Sequence, residues 1–204
     1  MEINVRHDLR RLELALNAYP KEALAAGVRA INRTLIKVRA ESARRLKVFY
    51  HGLMIGTIKK RLKVRRARRA DPIGWLDFSG KRFSLYGEFG MVARKGARGQ
   101  WGVRFRKLPW RIETVSGEVV SKEMLDRAFR QRGTAGRASV FARRNAQRLS
   151  HEVLVAPGLA RALVEGNIES TLLRIGRMHF HGVFAKELKY RIAERSKITM
   201  LDDT

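Results

Sequence analysis

Leu24, Val28, Ile31, Leu35 and Val38 recur at alternating spacings of four and three, the period of a helix that buries one face against a partner. Arg29, Arg33, Lys37, Arg39, Arg44 and Arg45 occupy its other faces, so this helix is basic wherever it meets water. Pro20 suits its first turn, where a missing N–H costs nothing. Ahead of it, Leu9, Leu12 and Leu16 share a stripe that predicts a shorter amphipathic helix over residues 5–17. Gly52 then breaks the chain before a short helix expected over residues 53–61.

From there the period changes from helical to alternating. Leu62 and Val64 stand between charged residues, which predicts a strand over 62–69, and Asp71-Pro72 marks a turn because the residue before proline is pushed out of the α region. Trp75 to Tyr86 reads as a β-hairpin turning at Ser79-Gly80. Glycines make Gly90 to Gly102 a loop, with Lys95-Gly96-Ala97-Arg98-Gly99 at its centre. Trp101, Val103 and Phe105 alternate with Gly102, Arg104 and Arg106 and predict a strand, with Trp110-Arg111-Ile112 as its return. Val119 to Phe129 suits helix or strand, and Ser121 as a helix cap favours helix. Residues 131–137 form a second basic loop, followed by a hairpin from Ala138–Phe141 and Leu149–Val155. From Pro157 to Ala193 the pattern is helical, with Gly166 and Gly176 as expected kinks. The expected class is α+β in a single domain: N-terminal helices over 1–61, an antiparallel sheet with long basic loops over 62–155, a long C-terminal helix over 156–195, and a tail over 196–204.

Charge sharpens this picture. Lys59-Lys60-Arg61-Leu62-Lys63-Val64-Arg65-Arg66-Ala67-Arg68-Arg69 contains no acid, and the whole chain of 204 residues carries a formal net charge of +25. That excess exceeds what solubility needs and points to a polyanionic neighbour: nucleic acid, an acidic protein surface or an anionic membrane. Candidate contact residues are Lys59, Lys60, Arg61, Lys63, Arg65, Arg66, Arg68 and Arg69, with Arg94, Lys95, Arg98, Arg132 and Arg137 in the two Gly/Arg loops. Those loops match no phosphate-binding fingerprint. The absence of cysteine excludes disulfides, thiolate catalysis and cysteine-ligated zinc. No signal-peptide core and no membrane span is apparent, so a soluble product of the cytoplasm is expected.

Catalytic signals are weak. His179 and His181 point about 200° apart on a helix and cannot share an ion. Asp77 and Glu88, facing each other across the expected hairpin, are the best carboxylate pair for a nuclease, yet they lack a third ligand. Trp75, Phe78, Phe83, Tyr86, Phe89, Trp101, Phe105 and Trp110 alternate with basic residues, and most are expected in the sheet core. No catalytic residue, cofactor or metal is expected.

The order of several stretches resembles the minor tail protein Z or tail completion family of long-tailed bacteriophages. Ala25-Ala26-Gly27-Val28-Arg29-Ala30-Ile31-Asn32-Arg33-Thr34 is similar to its opening helix, and Gly56 to Ala67 to the basic segment that follows. Phe78-Ser79-Gly80-Lys81-Arg82-Phe83-Ser84-Leu85 resembles its Ser-Gly-Lys hairpin. Val140-Phe141-Ala142-Arg143-Arg144, Arg148-Leu149 and Ala156-Pro157-Gly158-Leu159-Ala160 resemble the sheet edge and the entry to the terminal helix. Residues 106–130 depart from the pattern, as does Leu149-Ser150-His151 in place of a Leu-Pro-Ile type run. The resemblance implies a non-enzymatic virion protein at the head-proximal end of the tail, acting in tail completion, head–tail joining and DNA passage. It implies a homo-oligomeric ring in the neck, with tail terminator, tail tube and connector as partners, DNA in the tail lumen, and no membrane. The competing readings are a free nucleic-acid-binding protein of ribosomal or nucleoid type and a basic nuclease or toxin.

Overall fold

A computed structural model of the protein describes residues 20–89, 92–95, 101–104, 109–132, 138–143 and 151–202. The helix expected over 5–17 lies outside them. The fold is mixed α+β, with a long helix near each end of the described chain and antiparallel sheet between. It divides into two compact units: Met1–Ser42, Leu62–Asp77 and Asn167–Thr204 form the first, Ala43–Arg61 and Phe78–Gly166 the second.

The first unit contains most of helix α1 (Pro20–Phe49). Pro20 opens it, Glu22 complements its positive end, and Lys47 sits in its last turn. After the short helix α2 (Ile55–Lys60) of the second unit come strands β1 (Leu62–Arg65) and β2 (Trp75–Phe78), which pair as a two-stranded sheet. The strand expected over 62–69 therefore ends at Arg65. Much later in the chain comes the unit's second long helix, whose first described turn starts at Ile168.

The buried face of α1 keeps the later part of the expected stripe, Leu35 and Val38, and departs from it before them. Ala23, Ala26, Ala30, Thr34, Leu35 and Val38 are buried, while Leu24, Val28 and Ile31 are half-buried. Bulk comes from the partner side: the Phe184 ring reaches to 3.9 Å of where a side chain on Gly27 would begin, and Phe180 and Phe184 stack at 5.7 Å. Small residues on one helix make room for large ones on the other. Arg33 Nη1 approaches Glu187 Oε1 at 2.5 Å and Arg29 Nη1 approaches Oε2 at 3.4 Å, so the nearly buried Glu187 is neutralised from across the pair.

The second unit holds a seven-stranded antiparallel sheet. Its elements are β3 (Phe83–Ser84), helix α3 (Leu85–Glu88), β4 (Val92–Lys95), β5 (Trp101–Arg104), β6 (Glu113–Thr114), helix α4 (Lys122–Asp126), β7 (Phe129–Arg132), β8 (Ala138–Arg143), β9 (His151–Ala156) and helix α5 (Leu159–Glu165). The strand order is β3-β9-β8-β7-β5-β4, with β6 also on β9. Helix α6 (Ile168–Asp202) returns the chain to the first unit.

Several local expectations hold. The β8–β9 hairpin forms, with Val140 opposite Leu154 and Phe141 opposite Val153. Ser121 caps α4, its Oγ accepting from the Met124 N–H at 3.3 Å. Phe129, at the end of that ambiguous segment, instead opens β7.

Others give way to non-local pairing. Trp75 to Tyr86 is no hairpin: β2 pairs with β1, β3 pairs with β9, and Leu85 starts a helical turn. The intervening residues are held open by Arg61, whose carbonyl accepts from the Ser79 N–H and whose guanidinium donates to the Lys81 and Arg82 carbonyls. Gly80 then lies against Gly158 so closely that a Cβ there would stand 2.3 Å from the Gly80 carbonyl oxygen. Part of the expected glycine-rich loop, Val92–Lys95, is strand, because β5 supplies its hydrogen bonds. Trp110–Ile112 is not the return of β5, whose partners are β4 and β7; the next strand, β6, joins β9. Gln131 and Arg132 belong to β7 and not to the loop expected from 131. The expected C-terminal helix is broken outright at Gly166, and Asn167 carries the turn with φ of 47°, in the left-handed region that asparagine tolerates. Helix α6 runs unbroken through Gly176.

Of the expected aromatic core, Phe83 and Phe89 are buried with Tyr50, while Trp75, Phe78, Tyr86 and Trp110 are half-buried. Phe105 lies outside the described residues. Tyr50 lies 5.1 Å from Phe83, and its hydroxyl donates to the Pro157 and Gly158 carbonyls at 2.9 and 3.1 Å. Burial holds that hydroxyl well above its usual range, so it remains a donor at any physiological pH.

A candidate anion-facing surface

The basic run separates into members that hold the fold and members that face water. Arg61, in the second unit, belongs to the fold. Its guanidinium donates to the Lys81 carbonyl at 2.7 Å, the Arg82 carbonyl at 3.1 Å and Glu88 Oε1 at 2.6 Å, and lies 4.0 Å over the Phe83 ring. Lys59 and Lys60 close α2, exposed, where cations complement its negative end.

In the first unit, Lys63 and Arg65 point to solvent from β1 while Leu62 is buried, and Arg65 Nε lies 3.2 Å from Asp77 Oδ2 on β2. Beyond β1 the chain crosses α1 as a loop of residues 66–74, held at its centre by Asn32. The Asn32 amide donates to the Ala67 carbonyl at 3.0 Å and accepts from the Ala67 N–H at 2.9 Å, as a neighbouring strand would. Ala67 is buried, so Arg66 and Arg68 on either side are driven outward, with Arg69 beyond. Arg68 and Asp71 exchange backbone hydrogen bonds at 2.8 and 3.2 Å and close the turn expected at Asp71-Pro72. Gly74 seals the far end, where a Cβ would fall 2.6 Å from Leu35 Cδ1 and 2.8 Å from Ile31 Cγ2. Arg66, Arg68 and Arg69 make no ion pair among the described residues. The result is a basic loop braced on α1 whose three arginines meet no partner acid among the described residues.

The Gly/Arg segments sit elsewhere, in the second unit. Arg94 and Lys95 end β4, and Arg132 ends β7. Pairing of Arg94 with Gly102, and of Gly102 with Phe129, brings both strand ends to the same end of the sheet. Arg98 and Arg137 lie outside the described residues.

The carboxylates singled out for a nuclease lie in different units. Asp77 pairs with Arg65 and Glu88 with Arg61, so each carboxylate answers an arginine. No metal-holding cluster of His, Asp or Glu occurs among the described residues. His179 Nδ1 lies 3.2 Å from Thr34 Oγ1 between the two long helices. Burial, with Lys37 nearby, lowers its pKa below the ordinary value. The unfolded chain therefore takes up this proton first as pH falls below about 6.5. The stability that neutral His179 contributes is whole above that value and is lost as pH falls through its lower native pKa. Melting temperature should consequently drop more between neutral and mildly acidic pH in the natural protein than in His179→Gln; parallel pH curves would refute this.

Sequence reasoning missed a second ion-pair network, in the second unit. Glu113 lies 2.7 Å from Arg111 Nε and 2.9 Å from Arg161 Nη1, while Glu165 Oε1 lies 3.3 Å from Arg111 Nη1 and 2.7 Å from Arg161 Nε. The one available signal, an acid within the apolar-flanked Ile112-Glu113-Thr114, was too short to read.

The family model for the prophage minor tail protein Z matches residues 14–195. The chain belongs to that family. No curated protein and no solved structure matches it. Membership makes this minor tail protein Z relative a structural component of a phage tail, a virion protein that associates with other tail proteins. The match takes in both units, from α1 through the sheet to α6, and therefore the basic loop as well. Among the described residues no helix is long and apolar enough to cross a membrane.

Proposed function

We propose that this minor tail protein completes the tail at its head-proximal end, supporting head–tail joining and DNA passage as one subunit of an oligomeric ring in the neck. Its partners on this reading are the tail terminator, the tail tube and the connector. The observation that carries the proposal is the basic loop over 66–74: three arginines held outward on a rigid support, with no answering charge among the described residues. Such a surface is shaped for a fixed partner in an assembly. Lys60 and Lys63 add to the exposed positive charge in their respective units, while Arg61 is assigned to the fold.

The test is to purify particles made without the protein. Tails that fail to join filled heads, with joining restored by supplying the chain, are the expected result; normal joining in its absence overturns the proposal. The rival nucleic-acid reading predicts instead that the isolated chain binds duplex DNA with a log–log salt slope as steep as its exposed arginines allow.

A further inference from the structure

We infer that the 66–74 loop, together with Ile36, docks an acidic protein surface with an apolar centre, belonging to a tail component other than this chain, and does not contact the DNA backbone. The inference rests on the tail reading above and names the chemistry of one partner.

Two exposed isoleucines carry it. Ile36 is 53% exposed and Ile73 is 49% exposed. Ile36 lies one turn beyond Asn32 on the same face of α1, beside the residue that holds the loop. Ile73 precedes Gly74, which rests on Ile31 and Leu35 of the same helix stretch. Both isoleucines therefore border the loop that presents Arg66, Arg68 and Arg69. A phosphate backbone is held by cations and N–H donors and offers an isoleucine nothing to cover it. A protein interface has the opposite composition, apolar at its centre and enriched in arginine.

The sign of the partner follows from charge. Guanidinium forks pair bidentately with carboxylates. Asp71 is the sole acid within residues 66–74, and its Oδ1 is turned to the Ile73 N–H at 3.4 Å. A second copy presenting the same face would set arginine against arginine, and in a ring, where a different face would meet the loop, a chain of formal net charge +25 is a poor complement to it. The complementary surface therefore belongs to a different, acidic chain.

Site-specific photocrosslinking in assembled tails tests this. Particles are first scored for the natural chain, whose absence overturns the tail reading itself. With p-benzoylphenylalanine in place of Ile73, irradiation should join the chain to another tail protein through an acidic segment. A crosslink to DNA, to a second copy or to a neutral or basic segment overturns the inference, as does none. Independently of the probe, the double variant Ile36→Ser, Ile73→Ser should melt as the natural protein does, yet enter tails at least about tenfold less well, equivalent to about 1.4 kcal/mol. Undiminished incorporation would refute the docking role.

Discussion

Replacing Arg61 with alanine is expected to destabilise the protein by about 3 kcal/mol, an effect the other arginines of the basic run will not reproduce. The side chains of Arg61 and Glu88 are 22% and 23% exposed, so this is a partly buried pair, and losing it leaves the Glu88 carboxylate with the Ser84 N–H but without its counterion. Two backbone carbonyls, of Lys81 and Arg82, lose their donor at the same time, and Phe83 loses the cation over its ring. For a chain of this size each kcal/mol moves the melting temperature by about 2–4 °C, which puts the fall at about 6–12 °C. Arg61→Lys should recover only part of it, because an ammonium cannot reach three acceptors in the plane of a fork. Arg66→Ala, Arg68→Ala and Arg69→Ala should each stay within about 0.5 kcal/mol of the natural protein, since their side chains meet water. Thermal melts of the four alanine variants give the comparison. Equal shifts across the set would mean that the division of the run into supporting and outward-facing members is wrong.

The second large effect is expected at Glu113. Its side chain is 1% exposed and lies within 3 Å of Arg111 Nε and Arg161 Nη1. These are close charges without an N–H aligned on either carboxylate oxygen, so the attraction is coulombic and depends on the carboxylate remaining charged. Removing a buried acid from between two cations costs about 3 kcal/mol, because Arg111 and Arg161 are left with only the partly exposed Glu165. Glu113→Ala should therefore melt far below the natural protein. Glu165→Ala should cost only about 1 kcal/mol, as Glu165 faces solvent in part and its two arginines keep Glu113. If denaturant titration gives the two variants the same midpoint, Glu113 is not the centre of the network.

Residue spacing alone was enough to place α1, Ser121 as the cap of α4, the β8–β9 hairpin and the helical C-terminal region. Each depends on contacts a few residues apart, whose period is written in neighbouring positions. The basic run was equally visible, because charge density is a property of composition. What the spacing could not settle was which face of α1 is innermost. Leu24, Val28 and Ile31 carry the stronger hydrophobic signal, but Ala26, Ala30 and Thr34 are the buried residues, with Gly27 against Phe184 and Thr34 against His179 of the second helix, and steric fit decides between them. Strand partners were hidden for a related reason: β2 returns to β1 and β3 crosses to β9 through pairings that turn residues do not encode. The eight cations between Lys59 and Arg69 look alike in sequence. Tertiary structure divides them, turning Arg61 toward three acceptors and an aromatic ring while the Asn32 amide, holding Ala67, leaves Arg66, Arg68 and Arg69 directed to water.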